Sequence, residues 1–230
     1  MIKAIIFDFD GLLIDSEPAW FKARKSLMNE FNMDWTLDDQ KQNLGVSTKT
    51  WVSYLKNKLE DRLTPDEIQN RVIFKMKNMY RNGEVMSKPG ADQALKFCKD
   101  NKFILGLASG SHKELLFIAL KSKLWEDYFD EILSSDDLKH GKPAPDIYIE
   151  ILRRLKVKPE ESIVLEDSKD GITAGAAAKS NVIAVPGKEY PVPEYVLNSA
   201  KRVIESLFEL PDTIKSIEQE LVEPRDGEGE

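Results

Sequence analysis

The chain has 230 residues, of which 41% are hydrophobic and 32% are charged, a balance typical of a globular protein rather than a disordered or fibrous one. Its 40 acidic residues outnumber the 33 lysines and arginines, and the net charge of −7 argues against a nucleic-acid-binding surface. Cys98 is the only cysteine and there are two histidines, too few N and S ligands for a zinc site, so metal chemistry here would need oxygen ligands.

The first element is a compact apolar run at residues 3–7, which is typical of a buried strand. It ends at Asp8 and Asp10, beside a glycine that marks a loop. The N-terminal segment is too short and too acidic for a signal peptide, and no apolar stretch is long enough to span a bilayer. We therefore expect a cytoplasmic protein with no membrane partner.

Residues from about 16 to 84 have the apolar spacing of helices. Asp15 and Ser16 are residue types that cap helices, and Trp20 and Leu27 then fall on one helical face. The string Thr-Pro-Asp-Glu at 64–67 is a capping box with proline at the first helical position. This part of the chain is predicted to be wholly helical.

After residue 88 short apolar strands alternate with helices, which predicts an α/β fold with a mostly parallel sheet covered on both faces. The predicted strands are 103–108, 131–133, 162–165, 182–185 and 202–204. The predicted helices between them are 112–121, 145–155 and 169–178. The architecture is thus an α/β core interrupted after its first strand by a helical insert.

Polar residues follow several of these elements, at the sheet edge where open parallel sheets bind ligands. They are Asp8, Asp10, Ser109, Gly110, Lys142, Glu166 and Asp167. Each one alone has an ordinary explanation as a turn, cap or solvated residue. Together, however, the four carboxylates would repel each other by roughly 4 kcal/mol for each pair about 4 Å apart at an effective dielectric of about 20. Such a cluster needs countercharge, which Lys142 and a divalent cation would supply, most suitably Mg²⁺.

The same strings resemble the four motifs of the haloacid dehalogenase superfamily, in the family's order, from residue 1 to about 185. They are DFDGLLIDSE at 8–17, LASGS at 107–111, GKPAPD at 141–146 and EDSKDG at 166–171. The long first motif and the GKPAPD string point to the β-phosphoglucomutase-like branch. The resemblance implies a Rossmann-like catalytic core at 1–15 and 85–222 and an all-helical cap domain at 16–84. The polar residues 223–230 are expected to form a disordered tail.

The resemblance also implies chemical roles. Asp8 would be the nucleophile that forms an aspartyl-phosphate, and Asp10 would act as general acid and then general base. The metal residues would be Asp8, Asp10, Glu166 and Asp167, with Asp10 contributing its backbone carbonyl and Glu166 acting mainly through a water ligand. Lys142 would bridge the phosphate and Asp8, offsetting charge in the transition state.

Substrate binding is expected from two regions. Ser109 and the backbone N–H of Gly110 would hold phosphate oxygens at a helix N-terminus. In the insert, a loop around Gly45 either faces the active site, as the resemblance implies, or is a plain helix–helix turn. The implied substrate residues there are Glu17, Gly45, Val46 and Ser47, and Lys75 and Lys77 are further candidates for the cleft.

Three functions compete: a Mg²⁺-dependent phosphatase for a small phosphorylated sugar or polyol, a β-phosphoglucomutase-type mutase, and a non-enzymatic binding protein on the same fold. Retention of every charged motif residue disfavours the third, and Asp10 disfavours a dehalogenase. Mutases of the related branch carry a histidine where this chain has Trp20 and an arginine where it has Thr48, which favours the phosphatase. We expect a monomeric phosphoric monoester hydrolase that acts on a small phosphorylated metabolite and has no nucleic-acid partner.

Overall fold

A six-stranded sheet lies at the centre of the protein, for which a computed structural model describes residues 1–43, 46, 48–187 and 191–222. The strands in chain order, including a separate two-stranded ribbon, are β1 (Ala4–Phe7), β2 (Ile14–Asp15), β3 (Met86–Ser87), β4 (Ile104–Ser109), β5 (Glu131–Ser134), β6 (Ser162–Glu166), β7 (Asn181–Ala184) and β8 (Arg202–Val203). The sheet order is β5-β4-β1-β6-β7-β8, and each of these pairings is parallel. The predicted α/β class and mostly parallel sheet are confirmed.

The helices fall into two groups. The first group lies between β2 and β3 and comprises α1 (Glu17–Asn29), α2 (Leu37–Gln42), α3 (Thr48–Lys58) and α4 (Pro65–Arg81). The second group alternates with the strands and comprises α5 (Ala91–Asp100), α6 (Lys113–Lys123), α7 (Asp146–Leu155), α8 (Lys169–Ala177), α9 (Glu194–Leu197) and α10 (Leu210–Val222). The predicted strand and helix positions in the core agree with these bounds to within about two residues.

Strand β1 is buried on both faces because helices cover the sheet on both sides. Ile5 and Phe7 pack into one hydrophobic cluster, while Ala4 and Ile6 pack into the other. The first cluster continues without interruption into the helices of the insert, through residues such as Leu27. Burying each large apolar side chain contributes roughly 1.5–3 kcal/mol, so this shared core secures both β1 and the insert.

The capping box predicted at 64–67 is present. The Thr64 hydroxyl accepts a hydrogen bond from the Glu67 N–H, and the Glu67 carboxylate accepts one from the Thr64 N–H. The expectation for Ser16 is only half right. It precedes α1 as predicted, but its hydroxyl makes no capping bond and instead donates to Asp10.

A short antiparallel ribbon joins the two chain segments that lead into and out of the insert. In this ribbon Ile14 of β2 pairs with Ser87 of β3, and Asp15 pairs with Met86. Helix α4 also packs on α6, where the Lys77 ammonium lies 2.5 Å from the Glu114 carboxylate. No helix in the described part of the chain has the length and apolarity needed to cross a bilayer.

Candidate active site

Parallel pairing aligns the carboxyl ends of the three central strands. Phe7 of β1 is in register with Leu107 of β4 on one side and with Leu165 of β6 on the other. The next residues therefore meet at one edge of the sheet. Carboxylate oxygens of Asp8, Glu166 and Asp167 all lie within 4.8 Å of one another there.

Lys142 is the positive centre of this cluster. Its Nζ donates hydrogen bonds to Asp8 Oδ1 at 2.5 Å, to Glu166 Oε1 at 2.5 Å and to the Ala108 carbonyl at 3.2 Å. These contacts occupy all three donors of the ammonium group. Only a tenth of the Lys142 side chain is exposed, so it is held in a single place beside Asp8.

Glu166 is completely buried and fully hydrogen-bonded. Besides the bond from Lys142, its carboxylate accepts bonds from the Tyr148 hydroxyl at 2.7 Å and from the Ser168 N–H and hydroxyl at 3.2 and 3.0 Å. A β-carbon at Gly171 would lie 1.8 Å from the Glu166 carboxyl carbon. The glycine that closes the EDSKDG string therefore makes room for the Glu166 carboxylate.

Asp167 differs from Glu166 in having a free oxygen. Within the described residues, its buried Oδ1 has no hydrogen-bond partner. Gly11, in the loop after β1, approaches the other side of this carboxylate with a φ of +86°. Asp167 thus presents an unsatisfied oxygen beside Asp8.

Asp10 faces a set of hydroxyl groups. Its Oδ1 accepts a bond from Ser16 at 2.6 Å, and its Oδ2 accepts bonds from Ser111 at 2.6 Å and from Ser109 at 3.2 Å. Ser109, predicted to bind phosphate, is completely buried, and its hydroxyl also accepts the Ser111 N–H. Gly110 and Ser111, rather than Ser109, line the cavity described below.

The electrostatics of the cluster are dominated by burial and by an excess of negative charge. Burial raises the pKa of Asp8 well above its ordinary value, and the Glu166 carboxylate raises it further against the opposing effect of Lys142. Burial likewise raises the pKa of Asp167, with added contributions from Asp8 and Glu166. Burial would lower the pKa of Lys142, but the Asp8 and Glu166 carboxylates outweigh burial and leave that pKa well above its ordinary value.

The donor set fits a hard divalent cation such as Mg²⁺. It consists of carboxylate oxygens, it includes the unsatisfied Oδ1 of Asp167, and its negative charge exceeds what Lys142 neutralises. A cation would lower the raised pKa values of Asp8 and Asp167 and keep both side chains ionised. The Asp10 carboxylate lies outside this group, so a role for its backbone carbonyl stays a prediction.

A cavity of about 1060 Å³ opens above the cluster and is lined by residues of the sheet edge and of the insert. Two predicted substrate residues of the insert, Glu17 and Val46, are on its wall. The other two, Gly45 and Ser47, lie outside the described residues. The tail predicted at 223–230 also lies outside them.

Lys75 and Lys77 are not among the cavity-lining residues of the described chain. The Lys75 ammonium donates to Glu30, and that of Lys77 pairs with Glu114. Their suggested place in the cleft is therefore wrong. Trp20 is packed in the core, because it is 7% exposed and its ring centre lies 6.0 Å from that of Trp51. It also lines the cavity.

Several residues that shape the site were missed by the sequence analysis. Ser111 and Ser168 were read only as parts of their motifs, although each bonds to a cluster carboxylate. Tyr148 follows Lys142 by six residues and has the spacing of an apolar helix face, which hides its hydroxyl contact with Glu166. Arg24 lies on the cavity wall but looks in the sequence like a solvent-facing helix residue.

The family model described as haloacid dehalogenase-like hydrolase matches residues 5–185. The chain is 33% identical over 178 residues to a phosphorylated carbohydrates phosphatase of Thermotoga maritima, covering 77% of this chain and 82% of that protein. It is 32% identical over 212 residues to hexitol phosphatase B of Escherichia coli strain K12, covering 91% and 94% of the two chains.

A solved structure has the same fold. The crystal structure of CbbY from Rhodobacter sphaeroides, in complex with phosphate, aligns with a TM-score of 0.82 and 25% sequence identity. The alignment covers 91% of this chain and 96% of that one.

Proposed function

We propose, from the premise that this chain belongs to the haloacid dehalogenase-like hydrolase family, that it is a Mg²⁺-dependent phosphatase of small phosphorylated sugars or polyols. The observation that carries the proposal is the Asp8 carboxylate, fixed by Lys142 at the floor of a large cavity with Asp10 two residues away. The phosphatase names of two relatives that align over most of the chain support the same reaction.

In this proposal Mg²⁺ would be held by the carboxylates of Asp8 and Asp167 and by the backbone carbonyl of Asp10. When bound, the cation supplies positive charge that offsets the phosphate and the acidic cluster. Glu166 has both oxygens occupied by hydrogen bonds, so its main role is to position Lys142 and Ser168 beside the metal site.

The first chemical step is attack of an Asp8 oxygen on phosphorus. A bond forms between this oxygen and phosphorus, the bond from phosphorus to the ester oxygen breaks, and the leaving alcohol takes a proton from Asp10. Lys142 stabilises the charge that develops on the phosphoryl group, together with the backbone N–H of Gly110. The product of this step is an aspartyl-phosphate and a free alcohol.

The second step releases phosphate. Asp10, now ionised, removes a proton from a water molecule that attacks the aspartyl-phosphate, which regenerates Asp8 and protonated Asp10. The three serine hydroxyls that bond to Asp10 hold its carboxylate in one orientation for both proton transfers.

We further propose that residues 16–84 act as a cap over a core formed by 1–15 and 85–222. The insert supplies part of the cavity wall. The chain enters the insert through β2 and leaves it through β3, and these two linkers pair as the ribbon. Movement at residues 15–17 and 82–89 would then close the cavity over a small substrate and shield the reaction from bulk solvent. An intact phosphoprotein would be too large for such a cavity, so it should be a poor substrate.

A monomeric state is part of this proposal. A cytoplasmic location and a small phosphorylated metabolite as the partner also remain part of the proposal.

The decisive experiment is turnover of a panel of phosphorylated metabolites in the presence of Mg²⁺, with the products identified. Release of inorganic phosphate from sugar or polyol monophosphates is expected. Failure to release phosphate from any member of the panel would contradict the proposal.

A further inference from the structure

Unpaired polar atoms point to a second recognition site within the cavity. Among the residues that the structure describes, four buried side-chain atoms have no hydrogen-bond partner, and all four belong to residues that line this cavity. They are Arg24 Nε, Asn43 Oδ1, His112 Nδ1 and Asp167 Oδ1. Because a buried polar atom without a partner is costly, atoms of this kind around one cavity indicate where a ligand makes its contacts.

Two of the four atoms lie on the insert, in residues that line the same cavity as the acidic cluster. Arg24 is 4% exposed and Asn43 is 3% exposed, so both side chains are held in place by their surroundings. The Asn43 Nδ2 donates to the Asp39 carbonyl at 2.7 Å, which fixes the amide so that its oxygen is the unpaired atom. The insert therefore offers one donor, Arg24 Nε–H, and one acceptor, Asn43 Oδ1.

The charge of Arg24 is already balanced within the protein. Its Nη1 donates to Gln40 Oε1 at 3.1 Å, and Gln40 Nε2 donates in turn to the Glu17 carboxylate at 2.8 Å. Burial lowers the pKa of Arg24 to about 10, so the guanidinium is still charged at neutral pH and pairs electrostatically with Glu17. The Glu17 carboxylate thus offsets the charge of Arg24 that a second anion would need.

Aromatic rings complete the surroundings of Arg24. The guanidinium carbon lies 5.0 Å from the ring centre of Trp20 and 5.7 Å from that of Trp51, and both rings are on the cavity wall. The rings fix the guanidinium plane and give the subsite an apolar surface beside its polar atoms.

We propose that Arg24 and Asn43 form a subsite that recognises the hydroxyl groups of an uncharged polyol or sugar, the leaving group of the reaction. This inference rests on the proposed phosphatase function. Hydroxyl groups can accept the Arg24 Nε–H bond and can donate to Asn43 Oδ1, whereas alkyl and aryl groups can do neither. A second phosphate or a carboxylate cannot donate to Asn43 and would meet a guanidinium already balanced by Glu17.

The test compares sorbitol 6-phosphate with hexyl phosphate, which has the same number of carbons and no hydroxyl groups on its chain. The ratio of kcat/KM for these two esters measures recognition of the hydroxyls and cancels effects on the shared chemistry. We expect the wild type to prefer the polyol ester by at least about a hundredfold, because unpaired polar groups penalise an analogue that lacks their partners. Ribulose 1,5-bisphosphate, tested alongside, should be a poor substrate.

The variants are Arg24→Met, Asn43→Leu and the conservative Arg24→Lys, which keeps the charge facing Glu17 but lacks Nε. Each should lower the selectivity ratio by about tenfold or more, mainly through a lower kcat/KM for sorbitol 6-phosphate. Matched controls are Arg71→Met and Asn57→Leu on exposed positions of α4 and α3, which should leave the ratio unchanged. If thermal melting shows that Arg24→Met is not folded, the test rests on Arg24→Lys.

Separate outcomes distinguish this inference from the proposed function. Hydrolysis of both esters at equal efficiency by the wild type would support a phosphatase and overturn the subsite. Equal losses on both esters in the variants would also overturn it, because they indicate a structural effect. An absence of hydrolysis with every phosphomonoester would overturn the proposed function itself, and the subsite with it.

Discussion

A β-carbon at Gly11 would lie 2.1 Å from Oδ2 of Asp167, so the loop after β1 and the Asp167 carboxylate can occupy their positions only because residue 11 is glycine. The φ of +86° at Gly11 is itself unfavourable for any residue with a side chain. The DFDG string thus combines the carboxylates of Asp8 and Asp10 with the space that the Asp167 carboxylate needs.

Gly11→Ala should push the Asp167 carboxylate away from Asp8 and weaken Mg²⁺ binding. We expect kcat/KM at a fixed Mg²⁺ concentration to fall by about a hundredfold or more, and the half-saturating Mg²⁺ concentration to rise. The control is Gly83→Ala, where φ is +71° but nothing lies within 4 Å of the new β-carbon. Both variants should lose about 1–3 kcal/mol of stability from backbone strain, and only Gly11→Ala should alter the metal dependence.

Asp8→Asn should abolish turnover while leaving the fold intact. An amide cannot form the acyl-phosphate, so phosphate release should fall by several orders of magnitude. Near-ultraviolet circular dichroism and thermal melting would verify the fold. Activity within about tenfold of the wild type would remove Asp8 from the role of nucleophile.

Removal of divalent metal with EDTA should abolish activity, and added Mg²⁺ should stabilise the folded protein. Binding of a ligand to the folded state raises the free energy of unfolding by about 2.7 kcal/mol at a ligand concentration of about 100 times Kd. A thermal-shift titration should therefore show a Tm that rises with Mg²⁺ in the wild type and much less in Asp167→Asn. Full activity in excess EDTA would contradict the metal assignment.

The reaction should be hydrolysis rather than isomerisation. Trp20 provides an indole N–H on the cavity wall but no titratable imidazole, and Thr48 on the same wall is uncharged, with the exposed Lys49 next to it. The assay supplies β-glucose 1-phosphate with a trace of glucose 1,6-bisphosphate and follows both products. Faster accumulation of glucose 6-phosphate than of inorganic phosphate would show a mutase.

Asp39 should make the insert sensitive to acid. Burial raises its pKa, but hydrogen bonds from Lys58, Thr36 and Tyr54 outweigh burial and bring the pKa well below the ordinary value of 3.8. Because the folded pKa is depressed, this stabilisation is complete above pH 3.8 and is lost as the pH falls through the folded pKa.

The variant Asp39→Asn should reduce the free energy of unfolding by about 1–3 kcal/mol at pH 7, measured by urea denaturation. The difference from the wild type should shrink as the pH falls below 3.8. Glu67→Gln, in the exposed capping box of α4, is the matched control and should have a smaller effect, since its partners in that box are Thr64 groups only. An Asp39→Asn effect that is constant from pH 7 to 3 would contradict the ion-pair explanation.

The sequence predicted the sheet well because its strands are continuous apolar runs, buried on both faces, that end at acidic or small residues. It also placed Asp8 and Glu166 at one edge, since strand ends in a parallel sheet must meet. The β2–β3 ribbon escaped prediction because strands of two residues are too short to show a period.

The hydrogen-bond partners of the site residues were harder to predict for a different reason. Whether the Asp10 carboxylate faces Ser16 and Ser111 depends on how two loops approach each other, which local spacing does not encode. Arg24 is similar: a charged residue on a helix reads as solvent-facing, and only the fold reveals three tryptophan rings around it. Side-chain networks formed between distant segments leave little trace in a single sequence.

The central position of β1 affects how the chain is made on the ribosome. Its hydrogen-bonding neighbours begin at residues 104 and 162, whereas α1–α4 are formed by a continuous segment that is complete far earlier. At synthesis rates of about 5–20 residues per second, roughly 8–30 seconds pass between the emergence of β1 and that of its second neighbour. During this interval the apolar Ala-Ile-Ile-Phe strand is open to chaperones and to other nascent chains, so the strand that leads to Asp8 is made well before the two strands that pair with it.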